Sequence, residues 1–169
     1  RRSFGFGRVM VAMKDTLAND ADPIRRSRAA EAIGEFLDPH GLVALRQAVE
    51  TDGDAAVRAT AVRALGRLNH ADGREVIASA FNDESVEVRR AAVSVIMRVS
   101  FFTDHASLIG LLGDDDAEVR LHAAQLVGQF RVEEAVAPLS GLLRGDENVS
   151  VRQAAAWSLG RIGGNEANT

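Results

Sequence analysis

The chain has 169 residues, a net charge of −4, and 46% hydrophobic against 26% charged residues, the balance of one folded domain or a short repeat array. Cysteine is absent, which excludes disulfides, thiolate metal sites and thiol nucleophiles and fits a reducing compartment such as the cytoplasm. No stretch has the length of a membrane span and no signal peptide is visible, while the acidic balance lacks the positive excess of a general nucleic-acid binder.

Residues 1–8 read as an N-terminal tail or linker, with Phe4-Gly5-Phe6-Gly7 as a hydrophobic tether. From there the chain divides into units of two helices each. The first unit, 9–37, has a helix near 9–17 and a second one capped by Asp22. Pro23 takes its first helical position, where a missing N–H costs nothing. The second unit, 38–69, has a helix near 42–49 and another capped by Asp54. In the latter, Val57, Ala61, Ala64, Leu65 and Leu68 fall on one stripe. The third, 70–100, has a helix near 75–81 and one capped by Ser85; the fourth, 101–131, has a helix near 106–112 and one capped by Asp116. The fifth, 132–162, has a helix near 134–143 and one capped by Asn148. Residues 163–169 form a tail or the start of a further repeat, because Ala167 holds the register of Ala135. This reading expects a fragment of a longer array, or an end that meets a partner, with self-association through bare ends as one outcome.

The second helices align without gaps over 20–34, 52–66, 83–97, 114–128 and 146–160. A shared Arg stands at 26, 58, 89, 120 and 152, in steps of 32, 31, 31 and 32 residues. A period of this size is the signature of a solenoid. Helices of about ten residues are unstable alone in water, so each must bury its stripe against its neighbours. The expected fold is all-α, a right-handed α-solenoid of about five two-helix repeats.

The string Asp52, Val57, Arg58, Ala61, Leu65, Gly66, and its four counterparts, resembles the HEAT repeat, in particular the short form named after phycobilisome lyase subunits. The resemblance runs from about Val9 to Ile162. It implies a ladder of ion pairs between adjacent repeats, made by Asp20, Asp52, Asp83, Asp114 and Asp146 with Arg26, Arg58, Arg89, Arg120 and Arg152. An Arg in the first turns opposes the helix dipole and so needs such a partner, and its planar fork can hold a carboxylate bidentately. Gly34, Gly66, Gly128 and Gly160 sit inside helices at a cost of about 1 kcal/mol each against Ala, which suggests close helix approach. Met97 breaks that rule and is followed by Val99, Phe101 and Phe102, so that either the stack bends there or an extra apolar cluster forms.

The resemblance also implies that second helices line a concave wall whose solvent-facing positions vary. These are Ser27, Arg28, Glu31 and Glu35; Ala59, Thr60, Arg63 and Arg67; Arg90, Ala91, Ser94 and Arg98; Leu121, His122, Gln125 and Gln129; and Gln153, Ala154, Trp157 and Arg161. Arg63, Arg67, Arg90 and Arg98 form a basic strip suited to an acidic segment of a protein partner. Trp157, the only Trp, with Leu121, is a candidate hot spot. The expected function is a non-catalytic protein-interaction scaffold or regulatory module that binds a partner on the concave face of the solenoid. The alternatives are a phycobilin lyase- or isomerase-like subunit, suggested by the family name alone, and nucleic-acid binding through the Arg strip, which runs against the acidic net charge.

No residue pattern points to an enzyme or a cofactor. His40, His70, His105 and His122 include no His-Glu pair of the HEAT-type di-iron hydroxylases and no helical-turn spacing for zinc, and the first three read as loop residues. Asp114-Asp115-Asp116 lacks the alternating ligands of a calcium loop, and its outer members have ladder and capping duties.

Overall fold

A computed structural model describes residues 3–98 and 102–164. Contacts divide the chain into two compact units, Arg1–Val95 and Ile96–Thr169. The described residues are helical with short connections, and no helix among them is long and apolar enough to cross a membrane.

The first unit holds α1 (Ser3–Asn19), α2 (Pro23–Glu35), α3 (Leu42–Thr51), α4 (Ala55–Leu68), α5 (Ala71–Ser79) and α6 (Val86–Ile96), the last ending at the unit boundary. Helix α1 reaches back to Ser3, so residues 3–8 belong to the first helix and not to a tail. Asp22 and Asp54 cap as expected: Asp22 accepts from Ile24 N, and Asp54 from Ala56 N and Val57 N. His70 caps α5, accepting from Asp72 N at 3.3 Å, so this histidine is a helix start and not a free loop residue. Helix α2 packs on α4, and α1 and α3 pack on their own partners α2 and α4. The fully buried side chains include Ile33, Leu45, Val57, Val62, Leu65, Val88 and Val93.

The second unit holds α7 (His105–Gly110), α8 (Ala117–Gln129), α9 (Val136–Gly145) and α10 (Val149–Gly163). Asp116 and Asn148 cap α8 and α10 through their first-turn N–H groups. Leu108, Val119, Leu126 and Leu139 are fully buried. Phe102 is buried beside Phe130 at 6.4 Å, and the His105 ring stacks on Phe130 at 6.2 Å while its Nε2 meets Phe102 O at 2.8 Å. Thus His105 is half-buried and held in place by these contacts. Of the apolar cluster expected after Met97, Phe102 is in this core; Val99 and Phe101 lie outside the described residues.

Three glycines let helices meet. A Cβ on Gly34 would lie 2.7 Å from Ala64 Cβ, one on Gly66 would lie 2.6 Å from Val95 Cγ1, and one on Gly128 would lie 2.6 Å from Ser158 Cβ. The partner is each time the sixth residue after the next repeat's shared Arg. Gly160 has open space at the same place. Met97 falls beyond the end of α6 at Ile96, so the third repeat has no helical position there for a glycine to fill.

Candidate functional site

The ladder is present within each unit. Arg26 Nε and Nη2 donate to Asp52 at 2.8 and 2.9 Å, Arg58 makes the same fork on Asp83 at 2.8 and 2.9 Å, and Arg120 on Asp146 at 2.8 and 3.1 Å. The third nitrogen of each guanidinium holds the chain before its own helix: Nη1 of Arg58 donates to Asp52 O at 3.0 Å, and Nη1 of Arg120 to Asp114 O at 2.8 Å. Arg89 and Arg152 keep this last posture on Asp83 O and Asp146 O. Each Asp is pre-set by its own turn, as when Asp52 accepts from Asp54 N and Asp146 from Asn148 N.

These contacts shift the carboxylates. Burial pushes Asp52 and Asp83 upward, but the forks of Arg26 and Arg58, with a backbone N–H to each, prevail and hold both below the usual range. Asp146 is lowered first by the Arg120 hydrogen bonds, against burial. The same pairs raise Arg26, Arg58 and Arg120. The carboxylates stay ionised and consumed by structure, which leaves the ladder no acid-base chemistry to offer.

Solvent-facing positions of the second helices line two grooves. In the first unit, Arg63 on α4 and Arg90 on α6 face a shallow groove of about 280 Å³ with Val86, Glu87, Ala91 and Ser94. Arg63 Nη2 reaches Thr60 Oγ1 at 3.1 Å, and Arg67 is exposed one turn further along α4. Arg98 is exposed in the turn after α6 and belongs to the other unit; of the expected strip, the groove brings together Arg63 and Arg90.

In the second unit a groove of about 540 Å³ runs between α8 and α10, lined by Met97, Leu121, Gln125, Gln129, Ser150, Gln153, Ala154 and Trp157. Leu121 and Trp157 are therefore brought to one place. Trp157 is 49% exposed, and the Arg161 guanidinium lies over its ring at 5.1 Å. The amide side chains of Gln125, Gln129 and Gln153, which their polarity alone marked only as solvent-facing, give this groove its polar rim.

Some expected surface positions are not at the surface. Ala59, Ala91 and Ala154 are buried, because a methyl side chain at these positions lets the neighbouring helix close over it. Conversely, Ser158 carries no signal of burial in the sequence, yet it is fully buried and donates to Ala124 O at 2.6 Å. The His122 ring has a buried Nδ1 with no hydrogen-bond partner among the described residues.

Comparison with known proteins accords with this geometry. Residues 11–97, 42–112 and 105–168 match the HEAT repeats family. A HEAT repeat-containing taxis protein of Halobacterium salinarum is 30% identical over 146 residues, or 85% of this chain, which spans about a third (32%) of that relative. Among solved structures, the complex of CpcE and CpcF of phycocyanin lyase from Nostoc is 20% identical with a TM-score of 0.74, over 92% of this chain and 65% of that one. A designed armadillo repeat protein in complex with peptide (KR)4 is also 20% identical, with a TM-score of 0.70 over 89% and 80%. At these identities the structural likeness speaks for an all-α repeat fold of the solenoid type. With matches that tile nearly the whole chain, the protein belongs to the HEAT repeat family.

Proposed function

We propose that the protein is a non-catalytic binding module that seats a protein partner on the solvent-facing positions of its second helices, the side expected to be concave. The observation that carries this reading is the Trp157 groove. It combines an apolar floor from Met97, Leu121 and Trp157 with an amide rim, the mixture that anchors one apolar side chain while hydrogen-bonding a backbone. The first unit adds a basic surface at Arg63, Arg67 and Arg90 that suits an acidic stretch of the partner. A fold neighbour recorded with a bound peptide, and a relative named a taxis protein, support a role in recognition.

The chain's one Trp makes the test direct, since its emission reports occupancy of the groove. Peptides selected from a random displayed library against the wild-type chain should shift Trp157 fluorescence on titration. They should bind Trp157→Ala weakly, and those carrying Asp or Glu should bind the triple variant Arg63→Glu, Arg67→Glu, Arg90→Glu weakly, with helicity unchanged. Selected peptides that bind both variants as tightly as wild type would refute the assignment of these surfaces.

A further inference from the structure

The two walls of the Trp157 groove run side by side in one direction. Ser158 of α10 donates to Ala124 O on α8 at 2.6 Å, and one turn further along Arg161 Nε donates to Gly128 O at 3.4 Å. Trp157 stands five residues after the shared Arg of its repeat, and Arg161 nine after it. The same two positions are exposed at Glu31 and Glu35 and at Arg63 and Arg67, in repeats that have a further helix packed against them. The exposure of Trp157 and Arg161 therefore belongs to these positions of the repeat.

Arg161 is held in place but not neutralised. Its Nε meets the carbonyl near the end of α8, and its guanidinium lies over the Trp157 ring at 5.1 Å. Among the described residues no carboxylate pairs with it, so its Nη1 and Nη2 donors remain for an acid from outside. The Trp157 ring already carries a cation of its own chain, and a Lys or Arg brought by a partner would meet like charge there. An acidic segment fits this groove and a basic one does not.

The rest of the lining sets the posture of such a segment. Gln125 on α8 and Gln153 on α10 stand on opposite walls and make no hydrogen bond among the described residues. Their amides can pair with backbone N–H and C=O groups, which an extended segment presents and a helix keeps for itself. Along an extended chain, side chains two residues apart face the same way at a separation of about 6.7 Å. Trp157 and Arg161, four residues apart on one helix, are separated along its axis by about 6 Å. The spacings match. An apolar side chain resting on Met97, Leu121 and Trp157 thus brings the side chain two residues away to the Arg161 guanidinium.

Resting on the function proposed for this groove, we infer that its occupant is an extended segment of a protein partner with a large apolar side chain and, two residues from it, an Asp or Glu. The apolar side chain fills the floor, the carboxylate takes the open edge of Arg161, and the residue between them faces solvent. A single charge pair gives the groove only a slight salt dependence beside that of the three arginines in the first unit.

The test selects peptides from a random displayed library on the whole chain and titrates synthetic copies by calorimetry. The copies are amidated at the C-terminus, so that side chains supply their only carboxylates. Peptides that lose affinity for Trp157→Ala should share an acid two positions from a large apolar residue. Changing that acid to its amide should weaken binding roughly tenfold, and Arg161→Gln, with helicity unchanged, should do the same. The two changes together should cost no more than one does. Trp157-dependent peptides without that spacing, or an acid whose removal costs as much in Arg161→Gln as in the unaltered chain, overturn the inference and leave the groove's function standing. So does affinity that amidation abolishes, because the carboxylate then comes from a chain end. Peptides that bind Trp157→Ala as tightly as the unaltered chain overturn the groove's function and this inference with it.

Discussion

Replacing Arg120 by Ala should be far costlier than replacing Arg152 by Ala, although the two residues hold the same place in adjacent repeats. Arg120 is 8% exposed and its partner's side chain 3% exposed. Truncation removes two charge-assisted hydrogen bonds to Asp146 and leaves that carboxylate with the Asn148 N–H. At about 1.5 kcal/mol for each bond to a charged group, the fork is worth about 3 kcal/mol, near the low end of what breaking a buried pair costs. Arg152 loses only its bonds to the carbonyls of Asp146 and Glu147, about 1 kcal/mol. Arg120 loses the equivalent bonds to the carbonyls of Asp114 and Asp115 as well, so that part cancels and the difference of about 3 kcal/mol isolates the inter-repeat fork. Urea unfolding followed by far-UV circular dichroism and by Trp157 emission measures both variants. In heat, each kcal/mol should appear as a shift of roughly 2–4 °C. Adding Asp146→Ala closes the cycle: the double variant should be more stable than the sum of the two single losses implies. Equal costs for Arg120→Ala and Arg152→Ala would refute the reasoning, because the stabilisation would then come from the local carbonyl contacts alone.

Glycine substitutions should show opposite signs at equivalent sites. Gly128→Ala forces a methyl against Ser158 and lowers the unfolding midpoint, whereas Gly160→Ala meets open space and raises stability by up to about 1 kcal/mol, both readable in the same urea titration. Acid should weaken the fold in a defined window. Asp52, Asp83 and Asp146 have lowered pKa values in the native state, so the unfolded chain takes up protons first, near pH 4. Their contribution is complete above that point and is lost as pH falls through the native values. A urea midpoint that does not drop between pH 5 and pH 3 would contradict this. Partner binding through Arg63, Arg67 and Arg90 should weaken as salt rises, while binding confined to the Trp157 groove should change little; titrations at low and high ionic strength separate the two surfaces.

Most of the fold was legible because a repeat states each structural demand several times. One Asp-to-Arg spacing proves little, but its return in each repeat identifies a shared partner, and the forks at Arg26, Arg58 and Arg120 supply it. The helical glycines were readable as close approaches for the same reason. What escaped were features stated once. Gly5 and Gly7 argue against a helix, yet α1 extends through them, since adding residues to an existing helix needs no new nucleus. The first helices of the third and fourth repeats end in 3-10 turns at Ala80–Asn82 and Leu111–Gly113, a tightening that hydrophobic period does not register. The end of α6 at Ile96 likewise moved Arg98 off the helix on which the expected strip depended.

The candidate site was legible in a different way, through disagreement between repeats. Five residues after the shared Arg stand Glu31, Arg63, Ser94, Gln125 and Trp157, which share a backbone position but no chemistry. Packing cannot explain that spread, because the positions immediately before and after are held to small or apolar residues such as Val62, Ala64, Ala124 and Leu126, all buried. A slot that is free to vary in a repeat this regular is one that the stack does not use, and side chains there are available to contact something else. Sequence polarity misjudged how deep such slots lie: Ala59 and Ser158 are buried, while Trp157, by size the best candidate for a core, stands half out of it. The reason is geometric. In a stack of short helices a residue is buried when a neighbouring helix can close over it, and that favours the small side chain over the greasy one. The large apolar residue left outside is then an exposed surface with two flanking helices already in place to form a groove, which is why Trp157 and not the Arg strip carries the functional reading.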